Sequence, residues 1–175
     1  MKFYQVGSFA VGNRLLSQDQ RSVERFLGDL AIEKGWSTPV TAEPSGRHVL
    51  LVGAGPSGLS AAYHLRRLGH DVTVRDATDA PGGMMRFGIP KYRLPREVLD
   101  AEIARITDMG VRIELGKRVD DVNEAMAEGF DAVFLAVGAH IGKRAYIPAG
   151  ESAKILDAVH LLHSVEDGQP PLLGR

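Results

Sequence analysis

The stretch His48–Gly58, HVLLVGAGPSG, constrains the fold more than any other part of the sequence. Its apolar run Val49–Val52 has no polar alternation, which is typical of a strand covered on both faces of its sheet. Gly53, Gly55 and Gly58 follow with G-x-G-x-x-G spacing. Between a strand and a helix, these glycines allow a tight turn, close approach of the backbone to a pyrophosphate, and close helix–strand packing. The stretch therefore predicts a turn that binds a dinucleotide.

The flanking residues matter, because G-x-G-x-x-G alone is weak evidence. An amphipathic helix pattern follows the motif, and Gly69 provides its C-terminal stop. The apolar face of this helix consists of Leu59, Ala62, Leu65 and Leu68. The segment Asp71–Asp76 then predicts a second strand that ends in an acid about 20 positions beyond the glycines, where a ribose-binding carboxylate belongs. The alternative is a glycine turn in an ordinary α/β protein.

The start of the helix and the acid predict how a dinucleotide is held. The helix start at Pro56 and Ser57 offers unpaired N–H groups and the positive end of the helix dipole to phosphate charges. Ser57 would serve a phosphate there and not act as a nucleophile. The Asp76 carboxylate accepts hydrogen bonds from ribose hydroxyls and repels a 2′-phosphate, so the site suits FAD or NAD and not NADP. Taken alone, Asp76 also fits a solvated acid at a strand end.

A long loop rich in Gly and Pro, 77–95, follows the second strand, and loops of this length inside a domain are usually functional. Its Gly82 and Gly83 can bring main-chain N–H groups against a ligand. Three cations, Arg86, Lys91 and Arg93, are available to offset pyrophosphate charge. A solvated loop is the alternative; it is preferred for Lys91, and the spacing leaves both interpretations open for Arg93.

The remaining elements predict an α/β fold with a parallel sheet. A helix is expected over 96–109, a third strand over 111–115, a turn and short helix over 119–128, and a fourth strand over 130–138. The fourth strand is apolar enough to be central, and its terminal Gly138 would allow close backbone approach at the carboxyl edge of the sheet. A turn at 147–150 and a helix over 152–165 follow; His160 and His163 on that helix indicate a solvated face more than a metal site.

The N-terminal part predicts a helical appendage. Ser17 and Gln20 have capping-box spacing at the start of a helix over 17–34. One apolar stripe on that helix is expected to pack against the body of the protein and consists of Val23, Phe26, Leu27, Leu30 and Ala31. The segment 37–47 is typical of a linker. We therefore expect an appendage over 1–40 and a nucleotide-binding domain over 41–175.

The composition excludes several classes of function. With 21 Lys+Arg and 22 Asp+Glu in 175 residues, the charge balance gives no electrostatic reason to expect a nucleic acid or an anionic membrane as partner. The chain has no cysteine, which excludes disulfides, thiolate metal sites and Cys nucleophiles for this chain. It shows neither a transmembrane-length apolar run nor a signal peptide, so we expect a cytoplasmic protein.

Several of these segments together resemble a known family, the small (beta) subunit group of glutamate synthase, and the flavin module of dihydropyrimidine dehydrogenase is similar. The resemblance extends from about Arg21 to the end of the chain. The matching stretches are VGAGPSGLSAAYHL, PGGM, FGIPKYRLPREV, DAVFLAVGA and, near the N-terminus, RFLGDLAIEKGW. The GIPxYRLP stretch discriminates best, because generic dinucleotide folds lack it.

The resemblance implies a Rossmann-like FAD-binding domain with a parallel central sheet, incomplete and preceded by the helical appendage. It also implies an enzyme that oxidises NADPH and passes electrons through FAD to iron–sulfur clusters or a partner subunit. By matching positions, the FAD pyrophosphate would be held by Gly53, Gly55, Pro56, Ser57 and Gly58. Asp76 would take the adenosine ribose, Gly83 and Met84 would line the path to the flavin, and Arg93 would reach phosphate or the flavin edge. Val119 would meet adenine through its main chain, and Gly138 would close the flavin site.

Two departures from the family pattern limit what this chain does alone. The family's N-terminal domain binds iron–sulfur clusters through cysteines, which this chain lacks, and the family's second G-x-G-x-x-G domain, which binds NADPH, is absent. We therefore expect a fragment or a shortened member of a larger flavoprotein, inactive in isolation, with no catalytic acid or base and no metal ligand. The alternatives are a non-catalytic dinucleotide-binding or subunit-docking module and, more weakly, an NAD-dependent dehydrogenase.

Overall fold

The computed structural model describes residues 14–139 and 156–169, and its centre is one parallel sheet. The strands are β1 (His48–Val52), β2 (Asp71–Arg75), β3 (Arg112–Glu114) and β4 (Ala132–Leu135). They lie in the order β3-β2-β1-β4, and every pair is parallel. The strand order reverses between β1 and β4, which is where open α/β sheets bind ligands beyond the carboxyl ends of their strands. The predicted Rossmann-like fold with a parallel sheet is confirmed.

The helices connect the strands and cover the two faces of the sheet. They are α1 (Arg14–Glu33), α2 (Pro56–Arg67), α3 (Met84–Phe87), α4 (Arg96–Thr107), α5 (Val122–Ala127) and α6 (Ala158–Glu166). Helix α2 links β1 to β2, α3 and α4 lie between β2 and β3, and α5 precedes β4. Each crossover returns the chain to the same end of the sheet, as parallel strands require.

The core lies on both faces of β1, which explains why its sequence is apolar without alternation. Val49 and Leu51 pack into a larger core with residues of α2 and α4. Leu50 and Val52 point to the opposite face and pack into a smaller core with Ala125 of α5 and with Phe130. A strand covered in this way needs apolar side chains at every position.

Helix α1 differs from its prediction in two respects. It already includes Ser17 as an interior residue, so the predicted start of the helix at Ser17 is wrong. The apolar stripe packs at its C-terminal end, where Ala31 is buried, but Val23 and Phe26 are 57% and 63% exposed. The stripe is therefore only partly covered by the described residues.

Strand β4 and the segment after β2 also differ from expectation. Strand β4 pairs with β1 alone and forms an edge of the sheet in the part of the chain that the structure describes, so its predicted central position is wrong there. The loop 77–95 contains the short helix α3, which the pattern did not indicate. The predicted turn at 147–150 lies outside the described residues. The last helix is predicted over 152–165, but α6 begins only at Ala158, because the Asp157 carboxylate accepts from the His160 N–H and caps the helix there.

Candidate functional site

The glycine turn after β1 is built by two glycines that the fold itself requires. Gly53 has φ +112°, and a Cβ there would lie 2.3 Å from the carbonyl oxygen of Ala136, just beyond β4. A Cβ on Gly58 would lie 1.8 Å from the carbonyl oxygen of Gly53. Both distances are far below a normal contact. Any larger residue at either position would push β1, β4 or α2 apart.

Gly55, between them, is different because the protein does not need a glycine there. Its φ of −78° suits any residue, and a Cβ would find only the Cα of Gly83, at 3.9 Å. The space above Gly55 is open, so the absence of a side chain keeps the backbone accessible. This is the position at which a dinucleotide fold brings its backbone against a pyrophosphate.

The start of α2 presents hydrogen-bond donors to this space. Pro56 is the first residue of the helix and has no N–H, and no side chain of the described residues caps it. The N–H of Leu59 is the first in α2 to donate back, to the carbonyl oxygen of Gly55 at 2.9 Å. The preceding N–H groups of Ser57 and Gly58 therefore lie at the positive end of the helix dipole, which favours an anion.

The loop after β2 meets the glycine turn backbone to backbone. The Gly82 N–H donates to the carbonyl oxygen of Ala54 at 2.8 Å. Gly83 has φ +52°, and a Cβ there would lie 2.8 Å from the Cα of Gly55. Helix α3 begins directly after Gly83, at Met84, and also has no side-chain cap. The starts of two helices thus converge on Gly55.

Asp76 points at the glycine turn. Its Oδ2 accepts a hydrogen bond of 2.5 Å from the Ala54 N–H. Its Oδ1 accepts two, from the N–H of Thr78 at 2.8 Å and from the Thr78 hydroxyl at 2.6 Å. A carboxylate has about four acceptor positions, so these three bonds fix its orientation and leave about one position for a ligand hydroxyl.

Thr78 is the residue of this site that the sequence analysis missed. An aspartate that accepts from the residue two positions ahead forms a common local turn, so the D-x-T spacing in this loop was the available signal. The geometry makes Thr78 a support for the orientation of Asp76.

The three cations of the loop 77–95 differ in their surroundings. The Arg86 Nε donates to the carbonyl oxygen of Pro81 at 2.6 Å, and its Nη2 pairs with Asp100 of α4, so this guanidinium joins the loop to α4. The Lys91 Nζ lies 3.6 Å from the Glu166 Oε1. Arg93 is exposed, and no ion pair of the described residues involves it.

The positive charge of Arg75, the neighbour of Asp76, is paired with two carboxylates. Arg75 at the end of β2 donates to Glu114 of β3 at 2.8 Å and to Glu128 beyond α5 at 2.6 Å. These bonds raise the pKa of Arg75, and its guanidinium lowers the pKa of Glu128. Arg75 therefore ties β2, β3 and α5 together and is not a free cation for a ligand phosphate.

Gly138 and Val119 are the other two residues that the sequence predicts for this site. Gly138, with φ +70°, follows β4 two positions beyond Ala136, which contacts the glycine turn. Val119 is half-buried against the smaller core. The structure therefore brings together the glycine turn, Asp76 and the Gly83–Met84 pair, and the ligand roles assigned to all these residues stay predictions.

A parallel sheet, an open glycine turn at a helix start and an acid after β2 define the dinucleotide-binding class of Rossmann-like domains. In agreement, residues 51–115 match the family described as NAD(P)-binding Rossmann-like domain. The chain is a relative of the oxidoreductases of the glutamate synthase small-chain type, so the resemblance predicted from the sequence is confirmed.

Relatives of this kind match over most of the chain. It is 47% identical over 155 residues to the beta subunit of an NADP(+)-dependent formate dehydrogenase from Moorella thermoacetica, covering 75% of this chain and 22% of that protein. It is 33% identical over 169 residues to the glutamate synthase (NADPH) small chain of Mycobacterium tuberculosis, covering 89% of this chain and 35% of that one. The chain thus spans about a third or less of the length of these relatives.

A solved structure agrees in fold. Mycobacterium tuberculosis FprA in complex with NADPH superposes with a TM-score of 0.59 at 22% identity, over 70% of this chain and 29% of that one. Within residues 14–139 and 156–169, no helix has both the length and the hydropathy needed to span a lipid bilayer. The same residues contain no group of three or more His, Asp or Glu side chains arranged to hold a metal ion.

Proposed function

We propose that this chain is the FAD-binding part of an NAD(P)H-dependent flavoprotein oxidoreductase, which passes electrons from NADPH through FAD to an iron–sulfur centre or a partner subunit. The observation that carries the proposal is the open space at Gly55, because the uncapped start of α2 and a fixed carboxylate converge there. A turn with only a structural role would need Gly53 and Gly58 but not Gly55.

The residues around this space fit the pyrophosphate and ribose of an adenine dinucleotide. The N–H groups of Ser57 and Gly58 would donate to the pyrophosphate, and the bare backbone of Gly55 would let it approach. Asp76 would accept from one ribose hydroxyl with its remaining acceptor position. Its negative charge disfavours a 2′-phosphate, so NADPH would bind to a portion of the protein outside this chain.

The flavin end of the ligand would extend past the loop after β2. Gly83 and Met84 would line its path, and Arg93, Val119 and Gly138 would contribute as the family resemblance implies. When bound, FAD supplies hydride acceptance and single-electron transfer, and the protein supplies position and electrostatics. No residue of the chain is assigned as a catalytic acid or base.

A second candidate is a non-catalytic module that binds a dinucleotide for structure and docks a partner. The exposed apolar side chains of α1, including Phe26 at 63%, favour it. The two candidates differ in the behaviour of the complete protein. The oxidoreductase is yellow, and NADPH bleaches its flavin absorbance, whereas a colourless complete protein that takes up no FAD would end the oxidoreductase proposal.

The sharpest test within this chain is Gly55→Ala. The added methyl group finds space in the protein, so we expect the thermal midpoint to stay near that of the parent chain. The same methyl occupies the position of the pyrophosphate, and a clash worth about 1–3 kcal/mol weakens FAD binding by roughly fivefold or more. Titration of FAD fluorescence measures the affinity.

Gly28→Ala is the matched control, because a Cβ on this glycine of α1 meets no atom within 4 Å, so the protein has space for it as it has at Gly55. It should bind FAD as the parent chain does. Unchanged FAD affinity in Gly55→Ala would mean that the open space is not the pyrophosphate site.

A further inference from the structure

We propose that Glu166 of α6 is a positioning residue that holds the loop after β2 against the glycine turn, and that binding of the flavin end of the ligand depends on this clamp. The inference rests on the proposed function for the identity of the ligand. The clamp itself follows from contacts between α6 and residues of the loop and of α4.

Arg96, at the start of α4, organises the loop. Its Nη2 donates to the carbonyl oxygens of Arg86 at 2.5 Å and of Ile89 at 2.8 Å, and its Nη1 donates to that of Leu94 at 2.8 Å. One guanidinium therefore binds three backbone carbonyls, one from α3 and two from the segment between α3 and α4. A planar fork of donors suits this role, because a lysine ammonium cannot present the same fixed geometry.

Glu166, which is distant in sequence, pairs with the guanidinium of Arg96. Its two carboxylate oxygens accept from Nε and Nη2 of Arg96 at 3.0 and 2.9 Å. The two side chains are only 14% and 15% exposed. Arg96 lowers the pKa of Glu166, so the carboxylate is charged at neutral pH. Removing one partner of such a pair leaves the other charge poorly solvated, which is more costly than losing an exposed pair.

A second contact joins α6 to α3. The ring of His163 stacks on the buried ring of Phe87, with centroids 4.4 Å apart and planes 12° apart. Phe87 ends α3, and Gly83, which precedes α3, contacts Gly55. Helix α6 thus holds one end of a four-residue helix whose other end forms a wall of the proposed pyrophosphate site.

The clamp acts on one end of the site only. Asp76 takes its orientation from Ala54 and Thr78, neither of which contacts Arg96 or Glu166 through a hydrogen bond of the described residues. Loosening the loop should therefore weaken contacts to the pyrophosphate and the flavin half of FAD and leave the adenosine contacts at Asp76 intact. A role in global stability alone would reduce both affinities together.

The test is Glu166→Gln in the 175-residue chain, with FAD and adenosine titrated separately by calorimetry. If the docked loop falls to about a tenth of the population, the apparent FAD affinity falls about tenfold. Adenosine, which has the ribose but no pyrophosphate, should keep its affinity within twofold of the parent value. Glu97→Gln is the matched control, because it removes an exposed carboxylate next to Arg96 without breaking an ion pair of the described residues. It should change neither affinity.

Hydrogen–deuterium exchange without ligand tests the clamp independently of the proposed function. Glu166→Gln should raise exchange over 84–95 and leave α2 unchanged. Arg96→Lys, which keeps the charge but loses the fork, should give the same pattern with a larger amplitude. Unchanged exchange in both variants, or equal loss of FAD and adenosine affinity, would overturn the clamp. A parent chain that binds neither ligand would overturn the proposed function, and the exchange result would still decide the clamp.

Discussion

Strands β1 and β4 are parallel neighbours of similar apolar character, yet they have opposite environments. Leu50 and Leu51 of β1 are fully buried, whereas Phe134 and Leu135 of β4 are 42% and 59% exposed. The difference comes from the connections, because α2, α4 and α5 cover the two faces of β1 while β4 lies at an edge of the described sheet. An apolar sequence thus predicts that a strand forms, but its place in the sheet decides how much of it is buried.

The largest expected effect is a difference in the free energy of unfolding between matched substitutions in β1 and β4. Leu51→Ala empties a fully buried position and should lower the free energy of unfolding by about 2–5 kcal/mol. Leu135→Ala removes the same atoms from an exposed position and should cost less than about 1 kcal/mol. Urea denaturation followed by circular dichroism measures both. Equal losses would show that β4 is as well covered in solution as β1.

A smaller effect is expected at the carboxyl end of the covered strands, where Thr78 fixes Asp76. Thr78→Val removes the 2.6 Å hydroxyl bond but keeps the shape, and a hydrogen bond to a charged group contributes about 1.5–3 kcal/mol. Part of that loss should appear as weaker ADP-ribose binding, by roughly threefold to tenfold, because Asp76 is no longer held. Thr78→Ser restores the hydroxyl and should restore the affinity. If the valine variant binds ADP-ribose normally, Asp76 does not depend on Thr78.

The smallest expected effect is on the thermal stability contributed by Asp131, which lies just before β4. The His48 N–H donates to Asp131 at 2.7 Å and, with Arg47, lowers the pKa of that carboxyl from 3.8. A lowered pKa in the folded state gives a stabilisation that is present above the unfolded pKa and is lost as pH falls through the folded value.

We therefore expect Asp131→Asn to lower the thermal midpoint slightly at pH 7, with the difference from the parent chain shrinking as the pH falls below about 3.8 and lost once the pH passes below the lowered folded pKa. Asp120→Asn is the control, since its ion pair with Arg118 is about three-quarters exposed on both sides. A difference that persists undiminished at pH 3 would show that the Asp131 carboxylate charge is not what stabilises the start of β4.

The sequence predicted best where one local rule decides the structure. The apolar run of β1 and the spacing of Gly53 and Gly58 specify a strand, a turn and a helix within eleven residues, and the structure has all three. Two other features depend on residues far apart in the chain. The edge position of β4 follows from the strand order, and the Arg96–Glu166 pair joins residues 70 positions apart, so neither has a local signature.

Arg86 illustrates the same limit at the candidate site. Its spacing in the loop was compatible with a cation for pyrophosphate, but the fold places it against the Pro81 carbonyl and Asp100. Gly55 illustrates the opposite case. Its motif already implied close approach of a ligand, and only the coordinates reveal that the chain itself has no need of a glycine there.

The strand order has a consequence for synthesis on the ribosome. Val49 finds its first partner soon, at Val72, but its second partner is Ala132. At about 5–20 residues per second, the apolar strand β1 waits roughly 4–17 seconds with one edge unpaired. An open apolar edge is a template for aggregation. We therefore expect the nascent chain to need a chaperone, or very dilute conditions, during the interval before β4 emerges.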